Sequence, residues 1–147
     1  ILIRSIMTTR ISTLDLLATI EDLGHRLTGP RRQIIELLSH KSEGFTGKEI
    51  TDELPLVGRA TIFRTLKMLL HAGVVCKLVS PVGNTIYALA RFGHHHHTIC
   101  TRCGTVGEFR DSAIERFLRS IKKEMAGDLI GHRLEFYIVC FYCQDKS

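Results

Sequence analysis

Eleven consecutive positions, His94-His95-His96-His97-Thr98-Ile99-Cys100-Thr101-Arg102-Cys103-Gly104, carry four imidazoles and two thiols. Ordinary packing does not demand such a density of metal-ligand chemistry. A second pair stands near the C-terminus in Cys140-Phe141-Tyr142-Cys143, so four of the five cysteines form two C-x-x-C knuckles. Thiolates at that spacing converge on one tetrahedral Zn²⁺ without strain, each knuckle supplying two ligands. Cys100, Cys103, Cys140 and Cys143 are therefore expected to hold a structural zinc. With four thiolates filling the tetrahedron, no position is left for a substrate. The alternative, buried free thiols, requires two accidental pairs.

The four histidines pose a separate question. In an extended segment neighbouring side chains alternate faces, so His95 and His97 point one way while His94 and His96 point the other. One run can thus serve two sites. The alternative is an exposed, solvated loop; an engineered tag would be terminal and longer.

These ligands need a scaffold, and 147 residues provide one domain or two small ones, enough to bury a core without obligatory staples. The net charge of +5 permits a polyanionic partner without proving one. Its distribution is more telling. No acidic residue falls between Glu53 and Glu108, while Arg59, Arg64, Lys67, Lys77, Arg91 and Arg102 all do. No apolar run approaches the roughly 20 residues of a membrane span, and Ile1 to Met7 has the wrong length and flanks for a secretory signal. A cytoplasmic protein is expected, in which C-x-x-C pairs hold metal rather than form disulfides. Residues 1–6, before Met7, are expected to be either leader or appended residues outside the fold.

The first half is helical. Leu16, Leu17, Ile20 and Leu23 recur at helical spacing from Ser12 to Leu23. Thr28-Gly29-Pro30 reads as an N-cap with an early proline, opening a helix with Ile34, Ile35, Leu37 and Leu38 inward. Thr46-Gly47-Lys48-Glu49 has capping-box form, with Ile50 and Leu54 apolar behind it. After Pro55 to Gly58 a helix starts near Arg59, with Ile62, Phe63, Leu66, Leu69 and Leu70 on its buried stripe. Arg59, Thr61 and Arg64 point outward. This is a helix-turn-helix whose second helix enters a major groove, or else a plain helical bundle with solvated arginines. Val74 to Val79 and Thr85 to Leu89 form a hairpin around Pro81-Val82-Gly83-Asn84, which adds a wing and favours the former.

Hairpin patterning stops at Ala90-Arg91-Phe92-Gly93. Strands are expected at Thr98 to Cys100 and Thr105 to Phe109. A helix follows over Asp111 to Ala126, with Ile114, Phe117, Leu118, Ile121 and Met125 along one face. The alternating run His132 to Val139 is expected to form a last strand, with His132, Leu134, Phe136 and Ile138 on one side. The expected fold is α+β. A winged-helix DNA-binding domain (7–89) precedes a hinge (90–93) and a small α/β metal-binding and dimerisation domain (94–147). Uncovered sheet edges and a reader of two half-sites both favour a homodimer.

At this point the chain resembles the ferric uptake regulator superfamily of bacterial metal-responsive repressors, over roughly Gly24 to Cys143. The carriers are Leu27-Thr28-Gly29-Pro30-Arg31, Gly58-Arg59-Ala60-Thr61-Ile62-Phe63-Arg64-Thr65-Leu66, the His94 to Cys103 run ending in Cys-Gly, Gly107-Glu108-Phe109, and the final C-x-x-C. The resemblance implies metal-dependent binding of double-stranded operator DNA as a dimer, with repression of metal-uptake or metal-homeostasis genes. It adds Arg26 and Arg31 to Arg59, Thr61 and Arg64 as DNA-binding candidates. Phe63 stands where the family commonly has tyrosine. By the same resemblance a regulatory metal, Zn²⁺ or Fe²⁺ with Mn²⁺ also admitted, would take Cys76, His95, His97 and Glu108. An additional site would take His94, His96, Glu115 and His132.

Two ligands that the resemblance implies for an iron site, a carboxylate and a histidine, are missing, since Ala88 and Gly44 occupy those family positions. A Cys/His/His set with a carboxylate suits zinc or another borderline metal. Each assignment has a plainer reading beside it. Cys76 after Val74-Val75 can be core, Ser112-x-x-Glu115 can be a capping box, and His132 can be a satisfied core histidine. The expected mechanism has metal joining wing and C-terminal domain, so that the recognition helices adopt their DNA-competent geometry. The rival classes are a thiol and zinc redox switch and a zinc hydrolase with Glu108 as general base.

Overall fold

The structure, a computed structural model, describes residues 12–90 and 95–144. Of the hinge expected at 90–93 only Ala90 is among them. His94 and residues 1–6 also lie outside the described residues. The chain divides into two compact units, Ile1–Gly93 and His94–Ser147.

The first unit runs α1 (Thr13–Asp22), α2 (Gly29–Ser39), α3 (Gly47–Glu53), α4 (Arg59–His71), β1 (Val75–Val79) and β2 (Thr85–Leu89). Ser12 caps α1, its hydroxyl accepting from the Asp15 amide. Thr28 has the extended backbone of an N-cap but makes no side-chain capping bond. The proline-led start of α2 makes up for this, because Pro30 pre-sets the helical φ and removes one orphan donor. At α3 the capping box is complete: Thr46 Oγ1 accepts from Glu49 N at 3.1 Å, and Glu49 Oε2 accepts from Thr46 N at 2.5 Å. Thr46→Ala is expected to cost about 1 kcal/mol, seen as a lower urea midpoint at unchanged slope.

Helical spacing turns Leu16, Leu17 and Ile20, then Ile34, Ile35 and Leu38, then Ile62, Leu66 and Leu69 into one core with Phe45 and Ile50. Leu23 is exposed, because it is the C-cap of α1 rather than part of its stripe. Leu37 and Leu70 are only partly buried; in α4 Thr65 and Met68 are buried instead. Phe63, expected on the buried stripe, is 38% exposed. It sits one residue past Ile62, about 100° around the helix, and so faces away from the core. Thr61, expected outward, is half-buried. Gly73, at φ 71°, ends α4 in the left-handed conformation that its lack of Cβ allows. β1 and β2 then pair antiparallel, with Cys76 opposite Ala88 and Lys77 opposite Tyr87. Tyr87 also exchanges backbone bonds with Phe45, which ties the hairpin to the segment before α3. A short helix, a turn, a second helix and a hairpin make the winged-helix arrangement.

The second unit runs β3 (His96–Cys100), β4 (Val106–Phe109), α5 (Ser112–Glu124), β5 (Glu135–Ile138) and α6 (Phe141–Gln144). Its sheet has the order β4-β3-β5, antiparallel on the first side and parallel on the second. A parallel neighbour needs a crossover, and α5 lies within that connection. β3 begins at His96, earlier than expected, because the ladder partners Phe109 and Glu108 extend it into the histidine run. β5 covers only four residues, so His132 lies before it and is exposed, not a core histidine. α5 is capped by Asp111, whose Oδ1 accepts from Ala113 N at 2.7 Å and Ile114 N at 3.1 Å. The capping box that was the plainer alternative for Ser112 and Glu115 is therefore not formed. α5 is strongly amphipathic yet buries no residue; Phe117 is 63% exposed.

Candidate metal centres and nucleic-acid face

Parallel pairing places Cys100 opposite Ile138, so the turns following β3 and β5 leave the sheet at the same end. In the first turn Gly104, at φ 75°, donates its amide to Cys100 O at 3.0 Å. In the second, Cys143 N donates to Cys140 O at 2.9 Å. Thr101 N donates to Ile138 O at 2.8 Å and Arg102 Nη1 to Cys143 O at 2.6 Å, which ties the knuckles together. The sulfurs of Cys100, Cys103, Cys140 and Cys143 all lie within 4.8 Å of one another, with 3.7 Å between Cys103 and Cys140. A tetrahedron with Zn–S near 2.3 Å has edges of roughly 3.8 Å. The quartet thus has the size of a zinc thiolate site.

Its electrostatics point the same way. Bonds from the backbone amides of Cys140 and Cys103 hold the Cys100 thiol down at about 6. Hydrogen bonds from Thr105 lower Cys103. Burial raises Cys140, and its bond to Cys140 followed by burial pushes Cys143 up to about 12. Four thiolates cannot share this volume without a cation to balance them, and a dication bound by all four removes the conflict.

His96 and His97 open the central strand β3 with their side chains on alternate faces, and His95 directly precedes it. On one face His97 stands opposite Glu108 in the ladder. The His95 ring lies 4.7 Å from that of His97, and a donor nitrogen of each falls within 4.8 Å of the other. His97 is buried, and its Nε2 makes no hydrogen bond. Burial, then the neighbouring His95 and Arg133, bring its pKa from 6.5 to about 4. It therefore offers a neutral lone pair at pH 7, which is what a metal ion requires of imidazole. Because the folded pKa is depressed, the unfolded chain takes up a proton first as pH falls. With the knuckles loaded and this face stripped of metal, stability present above pH 6.5 should decline steadily toward pH 4. His97→Gln should flatten that decline in urea melts run across the window.

On the opposite face His96 Nε2 lies 3.1 Å from Glu115 Oε1, and the His132 and Phe109 rings lie 5.4 Å and 5.6 Å from the His96 ring. Of the residues expected at the additional site, His96 thus neighbours both Glu115 and His132; the fourth, His94, is outside the described residues. Cys76 belongs to the first unit, half-buried on β1. Sequence reasoning missed Arg102, Thr105 and Phe109 as supports of these centres. Arg102 and Thr105 carried one available signal, their place within or just after a knuckle. Phe109 carried none, since cross-strand register is not visible in a single sequence.

In the first unit Arg59, Arg64 and Lys67 are exposed on α4, a helix with no acidic residue in its first turn. Its N-terminus adds the partial positive charge of unsatisfied amides. Arg26 is exposed; Arg31 is half-buried, its Nη1 donating to Arg26 O at 2.9 Å. Such a face can contact phosphates and base edges.

A model of the ferric uptake regulator family matches residues 22–137. The ferric uptake regulation protein of Neisseria meningitidis serogroup A is 33% identical over 136 residues, spanning 89% of this chain and 94% of its own length. A solved zinc uptake regulator complexed with zinc and DNA superposes with TM-score 0.72 at 26% identity, covering 92% of this chain and 97% of that one. The Vibrio cholerae ferric uptake regulator superposes with TM-score 0.66 at 30% identity, covering 84% and 98%.

Proposed function

The chain belongs to the ferric uptake regulator family, and from that membership we propose that it is a cytoplasmic, dimeric, metal-dependent repressor. Its target would be double-stranded operator DNA at metal-uptake or metal-homeostasis genes. The observation that carries this reading is the sulfur quartet at the end of a sheet whose two faces present His97 with Glu108 and His96 with Glu115. Residues 7–89 would bind DNA, 90–93 would be the hinge, and 94–147 would hold metal and the partner copy.

Cys100, Cys103, Cys140 and Cys143 would hold Zn²⁺, which supplies a covalent-strength cross-link between the knuckles when bound. Cys76, His95, His97 and Glu108 would take the regulatory Zn²⁺ or Fe²⁺, with Mn²⁺ as a further candidate. His94, His96, Glu115 and His132 would form the additional site. Ligands drawn from both domains would restrict the hinge, so the recognition helices of a dimer would keep a spacing that fits successive major grooves. Arg26, Arg31, Arg59, Thr61 and Arg64 would then contact DNA. A dimer is supported by the apolar surface that one copy leaves exposed: Phe117, Ile130, Phe136, Tyr137 and Ile138. Among the described residues β5 lies at the edge of its sheet, where a partner's strand could be added.

Sequencing of genomic fragments retained by the chain, with its histidine sites loaded or stripped, tests the reading. A discrete set enriched only in the loaded state is expected. Equal recovery in both states, or no enrichment, would rule it out. Exposure of Cys103 beside the depressed Cys100 thiol favours a second reading, a redox switch. In it hydrogen peroxide takes two electrons from a thiolate pair, giving a disulfide and water, and zinc is released. The family assignment favours a regulator over the hydrolase.

A further inference from the structure

Arg59 and Phe63 lie one turn apart on the exposed side of α4, and the Arg59 guanidinium carbon sits 5.6 Å from the centre of the Phe63 ring. The ring in turn rests on Gly47, the buried first residue of α3. A Cβ built at Gly47 would fall 2.7 Å from two of the ring carbons, closer than any side chain tolerates. We propose that Gly47, Phe63 and Arg59 form one recognition device, in which the bare glycine backbone seats the ring and the ring aims the guanidinium at a guanine in the major groove. The inference rests on the DNA-binding reading above and adds what decides the base.

Preorganisation is what the ring supplies. A free arginine loses much of its rotamer freedom on binding, and that loss weakens a bidentate contact. An aromatic face at i+4 restricts the guanidinium before DNA arrives, while leaving its donor edge free for guanine O6 and N7. α4 offers Arg59 no competing carboxylate, since the helix contains no acidic residue. Phe63 and Gly47 are thus positioning residues, and Arg59 makes the contact.

Selection from a duplex library with a randomised centre, using the metal-loaded full chain, tests this. Wild type should select a guanine in each half-site, and 7-deazaguanine there should weaken binding. Arg59→Lys should flatten the preference at that base by roughly 10- to 100-fold while keeping the salt dependence of affinity. Phe63→Leu and Gly47→Ala should flatten it at the same base by several-fold, again at unchanged salt slope. Phe63→Tyr, which keeps the ring, should retain it. Should Gly47→Ala fail to fold by circular dichroism, Phe63→Leu alone decides. If Phe63→Leu selects the wild-type sequence with wild-type stringency, the device is overturned while the DNA-binding reading stands. If wild type selects no sequence at all, that reading falls and the device with it.

Discussion

Cys143→Ser is expected to remove one tightly held zinc per chain and to unfold the second unit, leaving the first unit helical. Among the described residues of that unit only His96, His97, Ile99, Cys100 and Cys143 are buried, so a single aliphatic side chain, Ile99, occupies its interior. At about 25 cal/mol per Å² of apolar surface, one buried isoleucine contributes only about 2–3 kcal/mol. That is far below the conformational entropy of ordering a three-stranded sheet and a helix. Structural zinc in small modules contributes on the order of 10 kcal/mol of folding free energy at neutral pH. Loss of one thiolate should therefore outweigh any single change in the aliphatic core of the first unit. Metal analysis should show one zinc fewer, and amide exchange in β3 and β5 should lose protection while α2 and α4 keep theirs. Retained zinc and retained protection in β5 would show that the quartet does not carry the unit.

His97→Ala has the second largest expected effect, of a different kind. His97 is buried on the central strand, neutral at pH 7, and its Nε2 lacks a hydrogen bond. Its removal should leave the knuckle zinc and the metal-free DNA affinity near wild type, because neither depends on that imidazole. The metal-induced gain in DNA affinity, about 5- to 150-fold for a typical coupling of 1–3 kcal/mol, should vanish. Fluorescence anisotropy on a selected duplex, with metal titrated into protein already holding its zinc, reads this directly. A full metal response in His97→Ala would move regulation to other ligands.

The sequence signals differ in reach. Two C-x-x-C pairs are legible because knuckle geometry is local; only their convergence needed the sheet, through the parallel pairing of β3 with β5. The assignment of His95 with His97 and His96 with the opposite face followed from strand periodicity alone. Glu115 was ambiguous between a cap and a ligand position, and only the cap reading is removed, by Asp111, which caps α5 one residue before Ser112. Phe63 was misplaced because an apolar residue beside a helical stripe looks like part of it. Its place about 100° past Ile62 turns it to the surface, where its ring rests on Gly47 of another helix, a contact that periodicity cannot express. His132 was read as part of a strand that starts three residues later, since the alternation of apolar Leu134, Phe136 and Ile138 with charged Arg133 and Glu135 begins before the ladder does. Exposure of α5 and β5 was likewise invisible, because an amphipathic pattern does not say whether its partner is the same chain or another copy.

The central claim is that a metal held by the imidazole face and DNA held by α4 are coupled. Coupling is reciprocal, so DNA must tighten the metal by the same factor that the metal tightens DNA. The most direct measurement is a competitive metal titration of protein with filled knuckles, with and without saturating duplex. The account predicts a metal affinity higher in the presence of DNA, by the factor found in the DNA titration. Identical metal affinities with and without DNA would contradict it.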